Sequence, residues 1–152
     1  MRRRKYETAE HRKVQRDCAD HLEACMPVCI EEIPSDNNKG SRIDWFVWGE
    51  GGLVAIAEHK HRNWDVKNGG GIYLSLTKAQ YGVELSDKLK VPFWFVVDNG
   101  AVVWFAEVHD LSAYTLLPVG GRTTQTRDAY DVEAVIIVPT NDFMEIQKGA
   151  KV

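Results

Sequence analysis

The run Phe93-Trp94-Phe95-Val96-Val97 is apolar at every position. Side chains alternate between faces along a strand, so such a run must be covered on both sides and belongs at the centre of a sheet. A sheet of this kind needs a packed layer on each face. Helices that could supply the layers are legible nearby. Tyr6 to Met26 reads as a helix: Val14, Cys18, Leu22 and then Cys25 or Met26 recur at steps of three or four, and Pro27 stops it. A second helix runs from a cap at Thr77 to about Lys90, with Ala79, Val83 and Leu89 as its inner stripe and Tyr81 and Leu85 near its edges.

The remaining strands fall around these elements. Val28 to Ile33 alternates weakly, and Ser35 to Gly40 is turn chemistry. Arg42–Trp48 and Leu53–Lys60 are rich in β-branched and aromatic residues, and Gly49-Glu50-Gly51-Gly52 joins them as a hairpin. His61 to Gly71, ending in Asn68-Gly69-Gly70-Gly71, reads as a mobile loop. Asp98-Asn99-Gly100 turns into Ala101–Val108, and Tyr130–Val138 is a last strand before a turn at Pro139–Asp142. No pattern emerges over 110–129. The order is helix, three strands, helix, two strands, late strand. It predicts one α/β domain over residues 1–152, with a mixed β-sheet flanked by helices.

Composition narrows the class. Five Trp, five Tyr and five Phe in 152 residues are too many to leave solvated. No apolar run approaches the roughly 20 residues of a membrane helix. The basic start Met1-Arg2-Arg3-Arg4-Lys5 leads into polar Glu7, Thr8, Glu10 and His11, not into a signal-type apolar stretch. The expected compartment is cytoplasmic, of a cell or of an infected host cell, with no membrane partner. A net charge of −3 argues against nonspecific coating of nucleic acid. Cys18, Cys25 and Cys29 read as reduced, buried thiols. A Cys/His metal site using His21 has little to support it.

Three charged side chains stand where strands should be apolar: Asp44, Glu58 and Lys60. Glu58 and Lys60 are two apart and share a face. If residues 49–52 close the hairpin, Asp44 falls opposite Ala57, and a one-residue bulge would bring it level with Glu58. Buried charges of this kind are costly unless paired or metal-bound. Two neighbouring carboxylates suit Mg²⁺, with Lys60 beside them to orient or deprotonate water or to offset charge on a phosphate. The competing reading is a solvated hairpin edge with Lys60 as a salt-bridge partner.

Over Arg42–Val47, Val54–Lys60, Leu76-Thr77-Lys78-Ala79-Gln80 and Val91–Val97 the chain resembles the PD-(D/E)xK nuclease superfamily, and within it the Holliday junction resolvase-like members. The resemblance covers about residues 6–108 and leaves 109–152 as a C-terminal extension. It implies a restriction-endonuclease-like core, αβββαβ, with added C-terminal strands. Asp44 and Glu58 would be metal ligands, with the backbone carbonyl of His59 as a third and Glu10 (in preference to Glu7) from the first helix. Lys60 would be the catalytic lysine, and Gln80 would position it or a phosphate. Thr77 and Lys78 would hold phosphate at a helix N-terminus. The residue before Asp44 is Ile43, where the family pattern has Pro.

The activity implied is a Mg²⁺-dependent deoxyribonuclease, with Mn²⁺ as a substitute, acting on DNA as a homodimer of resolvase type; RNA stays open. Trp64, flanked by Arg62 and Lys67, could stack on a base or fold back on the body. The side chains of His59 and His61 could contact phosphate or metal. His59 faces away from Glu58, which favours packing. The alternative function is a non-catalytic nucleic-acid-binding or assembly protein that retains the fold.

Overall fold

The computed structural model describes residues 9–34, 43–121 and 132–149. In chain order the elements are α1 (Ala9–Cys25), β1 (Cys29–Glu32), β2 (Trp45–Gly49), β3 (Gly52–His61), β4 (Ile72–Ser75), α2 (Leu76–Leu89), β5 (Phe93–Asp98), β6 (Val103–Glu107), β7 (Thr115–Gly121), β8 (Val132–Val138) and β9 (Met144–Glu145). The two-sided run is β5, buried at all its positions. It lies inside a six-stranded sheet of order β1-β2-β3-β5-β6-β9. Its pairing with β3 is parallel, and the sheet's other pairings are antiparallel. The connection from β3 to β5 passes through β4 and α2, as a parallel pair requires a crossover.

Alternation along β3 and β5 divides the core in two. Ala55, Ala57, Trp94 and Val96 pack with Cys18, Ala19 and Leu22 of α1 on one face. Ile56, Phe93, Phe95 and Val97 pack on the other face with Ala79 of α2 and with Ile72, Leu74, Ile136 and Val138. Those last four belong to a second, antiparallel sheet of order β4-β8-β7. The architecture is thus α/β with a mixed sheet between helices. The expected helix–three strands–helix–strand order holds, with β4 inserted before α2.

Local chemistry explains the elements and some departures from expectation. Cys18, Ala19 and Leu22 are the buried stripe of α1, at the spacing of one helix face. In α2, Gly82 lies against Phe93, and a Cβ there would overlap the ring. Glycine costs helix stability but lets α2 approach β5. The cap of α2 is Ser75, whose side chain accepts from the Lys78 N–H. Thr77 lies inside the first turn, because β4 runs straight into the helix and leaves the capping position one residue before Leu76. Leu89 is exposed rather than part of the inner stripe, since it falls in the last turn. Only part of the thiol reading holds: Cys18 is buried, Cys25 is partly buried and Cys29 is exposed. Among the described residues no helix is long and apolar enough to cross a membrane.

Candidate active site

The hairpin of β2 and β3 brings Asp44 and Glu58 together. Trp48 pairs with Leu53, but Val47 pairs with Ala55, so Val54 is an extra residue on β3. This bulge sets Trp45 opposite Ala57 and carries Asp44, one residue earlier, level with Glu58. Asp44 is fastened there by three hydrogen bonds. Its N–H donates to Ala57 O at 2.9 Å, its carbonyl accepts from Ile33 N–H at 2.8 Å, and its Oδ2 accepts from His59 N–H at 2.8 Å.

Glu58 is 4% exposed, one of two charged residues buried among those described. Burial raises its pKa to about 8, and Asp44 adds to the rise by repulsion and by a carboxyl–carboxyl hydrogen bond. Lys78 opposes it, donating from Nζ to Glu58 Oε1 at 2.7 Å. Burial disfavours the charge on Lys78, yet Glu58, Asp44 and Glu133 hold its pKa above the ordinary value.

Lys60 shares the Glu58 face. Its Nζ donates to Tyr73 O on β4 at 2.9 Å. Burial lowers its pKa to about 8, the cations Arg62 and Lys78 add to the fall, and Glu58 and Glu133 oppose it. An acid and an amine that both titrate near neutrality, on one face, form the kind of arrangement in which protons can be exchanged with a substrate.

Other residues singled out from the sequence fall in different places. Lys78 joins the group as the partner of Glu58. Thr77 and Gln80 are exposed on α2, and among the described residues Gln80 makes no hydrogen bond to Asp44, Glu58 or Lys60. Glu10 is exposed in the first turn of α1, the helix that packs on the opposite face of the sheet. Glu7 lies outside the described residues. Arg62 is partly buried, and its Nη1 donates to His61 O. Trp64 is 42% exposed; its six-membered ring lies close to Gly69, where a Cβ would be 3.0 Å from it. Trp64 and Arg62 line a cavity of about 280 Å³ with Tyr73, the residue whose carbonyl holds Lys60. Lys67 instead donates to Thr140 O and Phe143 O at 3.1 and 2.6 Å. These carbonyl contacts make it a tie between segments.

The His59 side chain faces α1, as alternation along β3 requires. It stacks on Trp45 with ring centroids 5.3 Å apart. Sequence reasoning missed Glu133, which acts on both lysines and accepts from Ser75 Oγ at 3.2 Å. Glu133 is the one charge in the β8 sequence Val132-Glu133-Ala134-Val135-Ile136-Ile137-Val138, the same signal that marked Glu58.

Beside Asp44 the buried Glu58 carboxylate invites positive charge, and in this structure the Lys78 ammonium provides it. The all-oxygen donor set of the two carboxylates suits a hard divalent cation. No curated protein matches the chain. The model of a family described as phage putative PDDEXK endonuclease matches residues 1–146. With its mixed sheet, its bulged hairpin and this spacing of acid, acid and lysine, the chain belongs to the PD-(D/E)xK nuclease superfamily and has its restriction-endonuclease-like fold.

Proposed function

We propose that the protein is a divalent-metal-dependent deoxyribonuclease that hydrolyses phosphodiester bonds at Asp44, Glu58 and Lys60. The observation that carries this reading is the convergence of a buried Glu58, its neighbour Asp44 and the amine of Lys60 on one face of the sheet. Asp44 and Glu58, with the backbone carbonyl of His59, would hold Mg²⁺ or Mn²⁺. When bound, such an ion polarises the scissile phosphate and makes a water more acidic. Lys60, held by Tyr73 O, is oriented to accept a proton from the attacking water or to offset charge on the phosphate. Lys78 neutralises Glu58 and is free to turn to a phosphate oxygen once a cation shares that carboxylate. Thr77 and the first N–H groups of α2 present donors to the backbone of the nucleic acid, and Gln80 extends that surface.

Half-exposed Trp64, with Arg62 lining the same cavity, offers an aromatic surface on which an unpaired base would stack. This favours branched, single-stranded or distorted DNA over a long duplex sequence. Resolvase-like cutting of two strands would use two copies related by two-fold symmetry. The test is a panel of labelled junction, flap, single-stranded and duplex DNA, with RNA as a comparison, incubated with Mg²⁺ or Mn²⁺. We expect cleavage of DNA that needs the metal and is strongest on substrates with unpaired nucleotides. Binding without cleavage in every metal would leave a non-catalytic nucleic-acid-binding protein. Preference for RNA would overturn the substrate.

A further inference from the structure

The strands that carry the carboxylates present a second set of ligand-type groups on their other face. His59 and His61 alternate with Glu58 and Lys60 along β3 and so point toward α1. Asp98 ends β5, 5% exposed, and is the second buried charge among the described residues. Cys18 of α1 is 3% exposed. One donor atom each from Cys18, His59 and Asp98 lie within 4.8 Å of one another. His59 Nε2 is 2.7 Å from Asp98 Oδ1, and His61 Nδ1 is 3.1 Å from Asp98 Oδ2. Beside them is a cavity of about 130 Å³, lined by Cys18, Asp98 and His61 and also by His21. Cys18 and His21 are three apart on α1, hence neighbours on one helix face.

A histidine–aspartate pair alone would suffice to tie β3 to β5. It would not call for a thiol desolvated at the same point, nor for two more imidazoles around the cavity. A Cys18 thiolate beside the Asp98 carboxylate would need a cation to offset two adjacent negative charges. We propose that Cys18, His59 and Asp98 bind a borderline-soft divalent ion of the Zn²⁺ class, with His61, His21 or a water in the cavity completing the coordination. Thiolate, imidazole and carboxylate together match Zn²⁺ and its spectroscopic substitute Co²⁺, whereas Mg²⁺ takes oxygen donors. The ion would replace the His59–Asp98 hydrogen bond with two bonds to metal and cross-link α1, β3 and β5. Its position matters to the opposite face, because the His59 N–H holds Asp44 Oδ2.

The test is titration of the full chain, first freed of metal, with Co²⁺, followed by absorption. We expect one equivalent to give intense tetrahedral d–d bands and a thiolate charge-transfer band. Zn²⁺ should bleach both, and excess Mg²⁺ should not. The bands should persist in the Asp44→Ala/Glu58→Ala double variant, which separates this site from the carboxylate site, and should vanish in Cys18→Ser. Asp98→Asn keeps the side chain's size and should weaken Zn²⁺ binding by at least about tenfold, which keeps the proposal testable if Cys18→Ser does not fold. Absence of a thiolate band in the wild type would overturn the proposal. So would a band that survives Cys18→Ser, since Cys25 or Cys29 would then be the ligand, or unchanged Zn²⁺ affinity in Asp98→Asn.

Discussion

Glu58 is held well above the ordinary carboxyl range, and its behaviour follows from its surroundings. An unfolded glutamate titrates near 4.3, whereas folded Glu58 titrates at about 8. Between those values the native state keeps a proton that the unfolded state has released. In EDTA, the protein's stability should therefore fall as pH rises from about 5 to 8, and Glu58→Gln should abolish that slope. Urea melts across this range check it; a stability that rises with pH would contradict the burial argument. Lys78 makes a second prediction. Its side chain is half exposed, at 48%, but it pairs with a carboxylate that is not. Lys78→Met should cost about 1–2 kcal/mol at pH 8, a value discounted for the exposed partner. The cost should shrink near pH 5, where Glu58 is neutral and needs no cation.

Among the elements, α2 and the β2–β3 hairpin do most to position the site. Gly82→Ala would improve helix propensity by about 1 kcal/mol but drive a methyl into Phe93. A net destabilisation of about 1–2 kcal/mol is expected, measured by thermal melting; a more stable variant would mean that α2 can lift from the sheet at no cost. The hairpin was readable because its charged residues broke an apolar pattern, and the bulge at Val54 settles the register that a turn alone left open between Ala57 and Glu58. What escaped the sequence depends on distant partners. β4 is four residues long and pairs with β8 some sixty residues later, so nothing local announces it, and the loop expected over 61–71 ends directly in it. β7 contains Pro118 and Gly120-Gly121 and shifts register between Leu117 and Gly120; proline and glycine argue against a strand when read alone. The expectation for Gln80 followed from its resemblance to a family pattern, while its place on the exposed side of α2 depends on the helix phase that Ser75 sets.

Across the whole molecule the six-stranded sheet separates two chemistries. One face gathers Asp44, Glu58, Lys60 and Lys78 under α2 and the smaller sheet; the other gathers Cys18, His59 and Asp98 under α1. Alternation along β3 sends Glu58 and Lys60 to one face and His59 to the other, so a shift of one residue in its register would exchange these side chains. Substrate contact also belongs to this scale, since the Trp64 cavity opens beside the strand that carries Lys60. Trp64→Ala should weaken binding of DNA with unpaired bases by about 1–3 kcal/mol and leave duplex binding little changed, read by fluorescence anisotropy; an equal loss on both would make Trp64 a structural residue. The most direct test of the central claim is the single-turnover rate of DNA nicking at saturating Mg²⁺ for the near-isosteric variants Asp44→Asn, Glu58→Gln and Lys60→Met, each verified as folded. The convergent site predicts that every one of the three slows nicking by about 100-fold or more. Nicking at the wild-type rate by any folded member of the set would contradict it.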